Sequence, residues 1–365
     1  MRVLVVNAGS SSLKVRLLDG DDGLLADEEL PAAGRGVDER AAESIVERLS
    51  GVDAVGHRFV HGGPRLHGPA RLDAGLEDYL RSLADLAPLH QPRALAGVEL
   101  IRRLLPAAPA VACVDTAFHA TLPSAAATYA VPREWRVRYG VRRYGFHGLS
   151  HAYAARRAAE LIGRPVDRLR AVTCHLGAGA SLAAVQYGVS VDTTMGFTPL
   201  EGVVMATRSG SVDPGMLLWL QAHAGLSAAA ATDALDRRSG LLALAGTADM
   251  REVLQAAAEG DEDGRLAIDV YVHRLRAAVA SMAAAMDGLD VLVFTGGVGE
   301  HAAEVRAAAG AGLGFLGVEV DGDRNRAVEG DADVSAPGAR VRTLVVRARE
   351  DLEIARQVRA VLTAE

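Results

Sequence analysis

The sequence predicts a duplicated α/β protein of two domains, each organised around a strand–turn–strand hairpin whose turn suits phosphate. Three observations carry that prediction. Val3 to Val6 is a short aliphatic run that breaks at Asn7-Ala8-Gly9-Ser10-Ser11-Ser12 and resumes as an alternating strand through Leu18. Ala171 to Val185 repeats the shape, with His175 where the first hairpin has Asn7 and Gly177-Ala178-Gly179 in the turn. The chain has 365 residues, half of them hydrophobic, enough for about two domains with a core each. The two turns are expected to face one another across a cleft.

A turn of Gly and Ser leaves backbone N–H groups and hydroxyls uncovered, which is what an oxyanion needs. The first turn leads into a strand rather than a helix, which argues against a Walker loop and a dinucleotide fold. Lys14 is the single lysine, against 38 arginines. A compact ammonium meets phosphate as a point charge where arginine offers a planar fork, so its retention marks Lys14 as a phosphate contact; a solvated lysine is the plainer alternative. Asn7 stands out similarly, because only it and Asn325 represent asparagine.

Net charge is −7 and the pI is near 5.9, with no block of like charge. Nucleic acid and anionic membrane are therefore not expected as partners, and small molecules are. Met1 leads directly into a strand, and no apolar run approaches the roughly 18 residues that a membrane helix needs. Cys113 and Cys174 are the only cysteines, both in strand-like apolar surroundings, which suits a reducing cytoplasm.

Further along, a polar turn at Gly34-Arg35-Gly36 precedes a helix-like pattern from Glu39 to Leu49. Ala54 to Gly63 is a strand ending in a double-glycine turn, with His57, Phe59 and His61 on one face and Arg58 and Val60 on the other. Leu72 to Leu86 reads as an amphipathic helix ended by Ala87-Pro88-Leu89-His90-Gln91-Pro92, and Gly97 to Leu105 as the next. Ala110 to Val114 is a strand, and Asp115 is the first polar residue after it. Sheet folds put catalytic groups there, although an Asp at that point also suits a helix N-cap. Arg142 to His151 is a glycine-punctuated loop in which Tyr144, Phe146, His147 and His151 cluster, opening a helix to Leu161.

Phe197 to Gly202 and Ala206 to Pro214 are turn-rich, with Arg208 among small polar residues that could frame an anion. Met216 to Ala224 is helical. Asp249 and Arg251 open another helix, as polar contacts or as capping and solvated charge. Ile268, Tyr271, Val272, Leu275, Val279, Met282 and Met286 form the core stripe of a long helix. Val291 to Glu300 is a strand opening into a glycine-rich loop before the helix at Ala303 to Ala309, suited to nucleotide contact or to tight packing. Asp321 to Asn325 fails the calcium-loop pattern at Arg326 and Ala332 and is expected as a surface turn. The strand Val341 to Val346 and the helix Glu350 to Leu362 close the chain.

These residues carry a resemblance to the acetate kinases. It runs through NAGSSSLK (Asn7 to Lys14), GHRFVHGG (Gly56 to Gly63), APLH (Ala87 to His90), DTAFH (Asp115 to His119) and YGFHG (Tyr144 to Gly148). It continues through HLGAGAS (His175 to Ser181), GFTPLEG (Gly196 to Gly202), TRSGSVDP (Thr207 to Pro214) and FTGGVGE (Phe294 to Glu300). The resemblance implies the actin-like ATPase fold, ribonuclease H-like, with two domains of βββαβαβα type flanking a nucleotide cleft. Their implied bounds are 1–118 plus 351–365, and 119–350. It implies reversible Mg²⁺-dependent transfer of the ATP γ-phosphate to acetate, giving acetyl phosphate and ADP, with Mn²⁺ able to replace Mg²⁺, in a cytoplasmic homodimer.

By the same resemblance, Arg58, Asp115, His147 and Arg208 are the catalytic set, and Arg58, Val60, Leu89, Phe146 and Pro199 bind the acyl substrate. Asn7 and Glu350 serve the metal. Lys14, Ser10 and Ser12, with His175, Leu176, Gly177, Ala178 and Gly179, hold phosphate. Asp249, Met250 and Arg251, with Gly297, Val298, Gly299, Glu300 and His301, hold the rest of the nucleotide. A carboxylate needs no deprotonation at neutral pH, so charge and in-line positioning must supply the catalysis. Val60 favours acetate, against the alternative of propionate or butyrate. Gln91, Ala178, His301 and Arg349 stand where the family usually has Asn, and Met250 where it often has Phe. The changes at Ala178 and His301 leave a catalytically weakened nucleotide sensor as the alternative from another class.

Overall fold

The computed structural model describes residues 1–8, 12–33, 36–37, 51–88 and 90–364. The turn residues 9–11, the turn at 34–35, the helix expected over 39–49 and Leu89 lie outside the described residues, as does the Ser12 side chain. The chain divides into two compact units, one of Met1–Ala120, Phe146–Tyr153 and Arg349–Glu365, the other of Thr121–Gly145 and Ala154–Ala348.

The first unit contains β1 (Val3–Ala8), β2 (Ser12–Leu18), β3 (Leu24–Ala33), β4 (Gly36–Val37), β5 (Ala54–Phe59), β6 (Ala70–Arg71) and β7 (Ala110–Val114). They form one sheet in the order β4-β3-β2-β1-β5-β7-β6. The second contains β8 (Arg170–Leu176), β9 (Ala180–Gln186), β10 (Val189–Thr193), β11 (Val291–Thr295), β12 (Ala332–Asp333) and β13 (Arg342–Val345), ordered β10-β9-β8-β11-β13-β12. In each unit a three-stranded antiparallel meander is extended by two parallel strands, β5 and β7 in the first and β11 and β13 in the second. The duplication expected from the two hairpins is thus present, β3-β2-β1-β5-β7-β6 matching β10-β9-β8-β11-β13-β12, with β4 an added edge strand of the first sheet.

Alternation sorts the first sheet into two faces. Val3, Val5, Ala54, Val111 and Cys113 pack against Ile354, Ala355 and Val358 of the helix Glu350–Thr363. On the opposite face, Leu4, Val6 and Val55 meet Leu100 and Ile101, while Phe59, Ala112 and Val114 meet Leu80, Leu83 and Leu95. Carried two residues on, the first face presents Asn7 from β1, Arg58 from β5 and Asp115 after β7. These are the C-terminal ends of three parallel neighbours, on the side where the last helix begins with Glu350. In the second unit Tyr271, Val272, Leu275, Val279 and Met282 of the helix Glu262–Ala284 are buried, as the stripe predicts.

Three local expectations change. The helix placed at Gly97 begins at Gln91, because Pro92 falls in its first turn, where a missing N–H costs nothing. The loop after β11 is itself a helical turn, Gly296–His301. Asp321 to Asn325 is a short capped helix rather than a surface turn: Asn325 is buried and its Oδ1 accepts from Arg306 Nε at 2.7 Å. No described helix is long and apolar enough to cross a membrane.

Gly56 shows how closely the last helix approaches β5. A Cβ there would lie 2.4 Å from Ile354 Cγ2 and 2.8 Å from Val358 Cγ2. Gly56→Ala should therefore lower stability by about 1–3 kcal/mol through overpacking. Urea denaturation checks this, and an unchanged midpoint would show that the helix can move aside freely.

Candidate active site

Arg58 is the centre of the first unit's constellation. Its Nη2 lies 2.7 Å from Asp115 Oδ2 and its Nε 3.3 Å from Oδ1, a two-point pairing. Its Nη1 donates to Asn7 Oδ1 at 3.3 Å and lies 3.2 Å from Glu350 Oε2. Burial disfavours the guanidinium charge, but Asp115 and Glu350 more than compensate and raise its pKa further. Burial pushes the Asp115 carboxyl up and the Glu350 charge adds to this. The Arg58 charge and its hydrogen bond, with the N–H of Leu149, oppose it, and the balance is about 6. Asp115 opens the 3₁₀ turn Asp115–Thr121, and its carboxylate is committed to Arg58.

The segment carrying His147 reaches this group because Gly148 has no side chain. A Cβ there would stand 2.0 Å from the Asp115 carbonyl oxygen and 2.7 Å from Phe118 Cβ. His147 itself adopts φ 55°, an uncommon left-handed conformation for a non-glycine residue. Phe146 is buried beneath it, with the His61 ring edge-on at 5.6 Å. The carbonyl of Phe146 lies 3.0 Å from His119 Nε2. Burial pushes both His61 and His119 down to about 4, so both are neutral wall residues at neutral pH. Val60 is half-buried beside them in the chain. Gln91 holds this wall, its amide donating to the carbonyls of His61 at 3.0 Å and Leu80 at 3.3 Å.

Lys14 sits opposite Asn7 in the β1–β2 register and is half-exposed, with Glu29 at 3.8 Å. Arg349 pairs with Asp351 at 2.9 Å, and Arg16 reaches the same carboxylate at 3.5 Å, fixing the turn that carries Glu350.

The second unit holds a cavity of about 650 Å³. Of the expected nucleotide residues, Gly177, Ala178, Asp249, Met250, Arg251, Gly297, Val298 and His301 line it. Leu176 is fully buried in β8 instead. Glu300 is engaged in the backbone, Oε1 accepting from Gly296 N at 3.1 Å and Ala348 N at 2.9 Å. His175, Gly179 and Gly299 are not among the lining residues. Gly296, at φ 79°, brings the helical turn to the hairpin, since a Cβ there would lie 2.8 Å from the Leu176 carbonyl oxygen. Asp249 caps the helix Met250–Glu259 by accepting from Arg251 N at 2.9 Å, and the Arg251 side chain holds its carboxyl down to about 2. Both sequence readings of that pair therefore meet: it caps, and it lines the cavity.

Sequence reasoning missed Ala206, Leu241, Leu254 and Tyr271, which also line this cavity. Tyr271 carried a signal, being the one aromatic in its stripe. Its buried hydroxyl has no hydrogen-bond partner among the described residues. Arg208, also in the second unit, pairs with Asp236 at 3.0 Å and donates to the Pro199 carbonyl at 3.4 Å, which brings those two expected residues together. Among the described residues, no group of three or more His, Cys, Asp or Glu could hold a metal alone.

Two units of the same sheet order, one ending in a clustered arginine and the other in a glycine-lined cavity, define a phosphotransferase of the actin-like ATPase fold. A Thermus thermophilus ROK hexokinase shares that fold at TM-score 0.50 and 16% identity, each chain covered in full. A family model described as the acetokinase family matches residues 26–356, and the chain belongs to that family, enzymes with a carboxyl group as phosphoryl acceptor. It is 46% identical to an acetate kinase of Deinococcus deserti over all of this chain and 99% of the relative. The crystal structure of Porphyromonas gingivalis acetate kinase matches with TM-score 0.93 at 37% identity, covering 99% of each chain. A Francisella tularensis propionate kinase matches with TM-score 0.92 at 35% identity over the same shares.

The Asp115 carboxyl of the ligand-free protein should titrate near pH 6, and Glu350→Gln, which removes a like charge, should move that midpoint to lower pH. Carbon-13 NMR of labelled aspartate, assigned with Asp115→Asn, reads both. A midpoint in the ordinary Asp range, or one indifferent to Glu350→Gln, contradicts this electrostatic account.

Proposed function

We propose that this protein reversibly transfers the γ-phosphate of ATP to acetate, giving acetyl phosphate and ADP, by direct in-line attack. The observation that carries this reading is Arg58 held at three strand ends by Asp115, Asn7 and Glu350. Such a group fits a reaction whose nucleophile is already ionised and whose barrier lies in charge and alignment. In this reading Arg58 binds the acetate carboxylate and then the equatorial oxygens of the transferring phosphoryl group, while Asp115 keeps the guanidinium aimed. His147 and Arg208 add positive or hydrogen-bonding character to the same oxygens. Val60, Leu89, Phe146 and Pro199 are the residues assigned to the methyl group.

For the donor, the cavity lined by Asp249, Met250, Arg251, Gly297, Val298 and His301 takes the nucleoside. His175, Leu176, Gly177, Ala178 and Gly179, with Lys14, Ser10 and Ser12, serve the phosphates; Glu300 and Gly299 support the loop. Asn7 and Glu350 would hold Mg²⁺ in the way this ion is usually held, by one or two side-chain oxygens with the rest from phosphate and water. Both residues meet the same Arg58 nitrogen, at 3.3 and 3.2 Å. The ion, or Mn²⁺ in its place, would neutralise charge on the β- and γ-oxygens.

Arg58→Ala and Arg208→Ala should each cut kcat by about 10²–10³-fold or more with the fold intact, as for loss of one transition-state donor. Trapping acyl phosphate with hydroxylamine across acetate, propionate and butyrate checks the reaction and its acceptor together. Propionate is the second reading, supported by the comparable likeness to a propionate kinase. A higher kcat/KM for propionate than for acetate would establish it, and ATP binding without any acyl phosphate would leave a sensor.

The cytoplasm is the proposed location, in keeping with the two buried free thiols. A homodimer is proposed as the working state. It is supported by the helix Pro214–Ala224, which buries none of its residues and exposes Met216, Leu218 and Trp219. Leu218→Asp with Trp219→Asp should shift the protein from dimer to monomer in sedimentation velocity. A dimer unaffected by that pair would place its interface elsewhere.

A further inference from the structure

A second cavity, of about 320 Å³, lies in the first unit, on the face of the sheet opposite Arg58. That volume is at the small end of the range of ligand pockets, about 300–1,000 Å³. Val55, Val98, Ile101 and Leu105 make its wall apolar, and Arg71, Asp73, Glu77 and Arg102 stand among its lining residues. His57 also lines it. The ring belongs to a residue only 2% exposed, and no described residue hydrogen-bonds it. A buried imidazole left without a partner is costly unless something in the cavity serves it.

The charge around the ring narrows what that is. Asp73 is committed to its helix, its Oδ1 accepting from Leu76 N at 2.7 Å. Glu77 is committed to Arg102 at 2.5 Å. Arg102 lowers the His57 pKa, after burial itself, and no acidic side chain offsets it there. Arg71 and Arg102 are the cations that line the cavity with this ring, in a pocket whose wall is hydrocarbon. We propose that this cavity binds a small monocarboxylate with an apolar body. Its carboxylate accepts from the His57 ring N–H and faces Arg102, and its body packs on Val98, Ile101 and Leu105. The site is separate from the acyl site, because His57 and Arg58 are successive residues of β5 and point to opposite faces.

4-Fluorobenzoate is a suitable probe, read by ¹⁹F line broadening on the full-length protein. The expected result is saturable binding that persists in Arg58→Ala and weakens at least tenfold in His57→Leu and in Arg102→Ala. Arg102 is half-exposed, so that variant decides the matter should His57→Leu fail to fold. No saturable binding, binding lost in Arg58→Ala, or binding indifferent to Arg102→Ala overturns the proposal.

Discussion

Arg58 carries a permanent charge into a place where little water reaches it, and everything around it answers that demand. An arginine cannot shed its proton, so compensation must come from neighbours. Two carboxylates and an amide oxygen supply it, from segments near residues 7, 115 and 350. They can meet only if β1, β5 and β7 are parallel neighbours in register and the last helix starts over their ends. Gly56 belongs to the same constraint, since any side chain there would lift that helix and Glu350 with it. Burial, with the Glu350 charge added, pushes the Asp115 carboxyl up against the pull of Arg58, and the balance is about 6.

The second unit meets its task with backbone more than with side chains. Gly296 lies against Leu176, and Gly240, at φ 65°, lies against Met205 and Arg208, where a Cβ would be 2.2 Å from the Met205 carbonyl oxygen. Beneath the Gly296–His301 turn sits Arg306, 1% exposed, donating to the carbonyls of Gly299 at 2.9 Å and Glu300 at 2.8 Å. Asn325 completes its shell through Oδ1 and the main-chain carbonyl, both at 2.7 Å. A buried cation thus stiffens a loop of the cavity as another organises the first unit.

Much of this was legible in the residues because it is local. The repeated hairpin predicted the repeated sheet, and Asn7 and Asp115 declared themselves as first polar residues after apolar strands. The scarcity of asparagine was informative too: both survivors hydrogen-bond a buried or half-buried arginine. What escaped was long-range or ambiguous by period. Nothing near residue 350 states that its carboxylate meets residue 58, nearly three hundred positions earlier. Pro92 reads equally well as the end of one helix and the first turn of the next, and tertiary packing settles it. Tyr271 followed the core period faithfully while also lining a cavity, and period cannot separate those two uses.

The four positions that depart from the usual asparagine divide by what their side chains do. Gln91 and Arg349 have taken structural contacts, one to the carbonyls of His61 and Leu80, the other to Asp351. Ala178 and His301 line the cavity instead. At Ala178 the contact that shapes the loop is main chain, its carbonyl accepting from Ala206 N at 3.1 Å, and any residue could supply it. A change of side chain there leaves that main-chain bond available. The form of the cavity is therefore insulated from its side-chain chemistry. Changes at Ala178, Met250 and His301 alter the lining of that cavity while the Arg58 group, on a different sheet with its own compensation, stays intact.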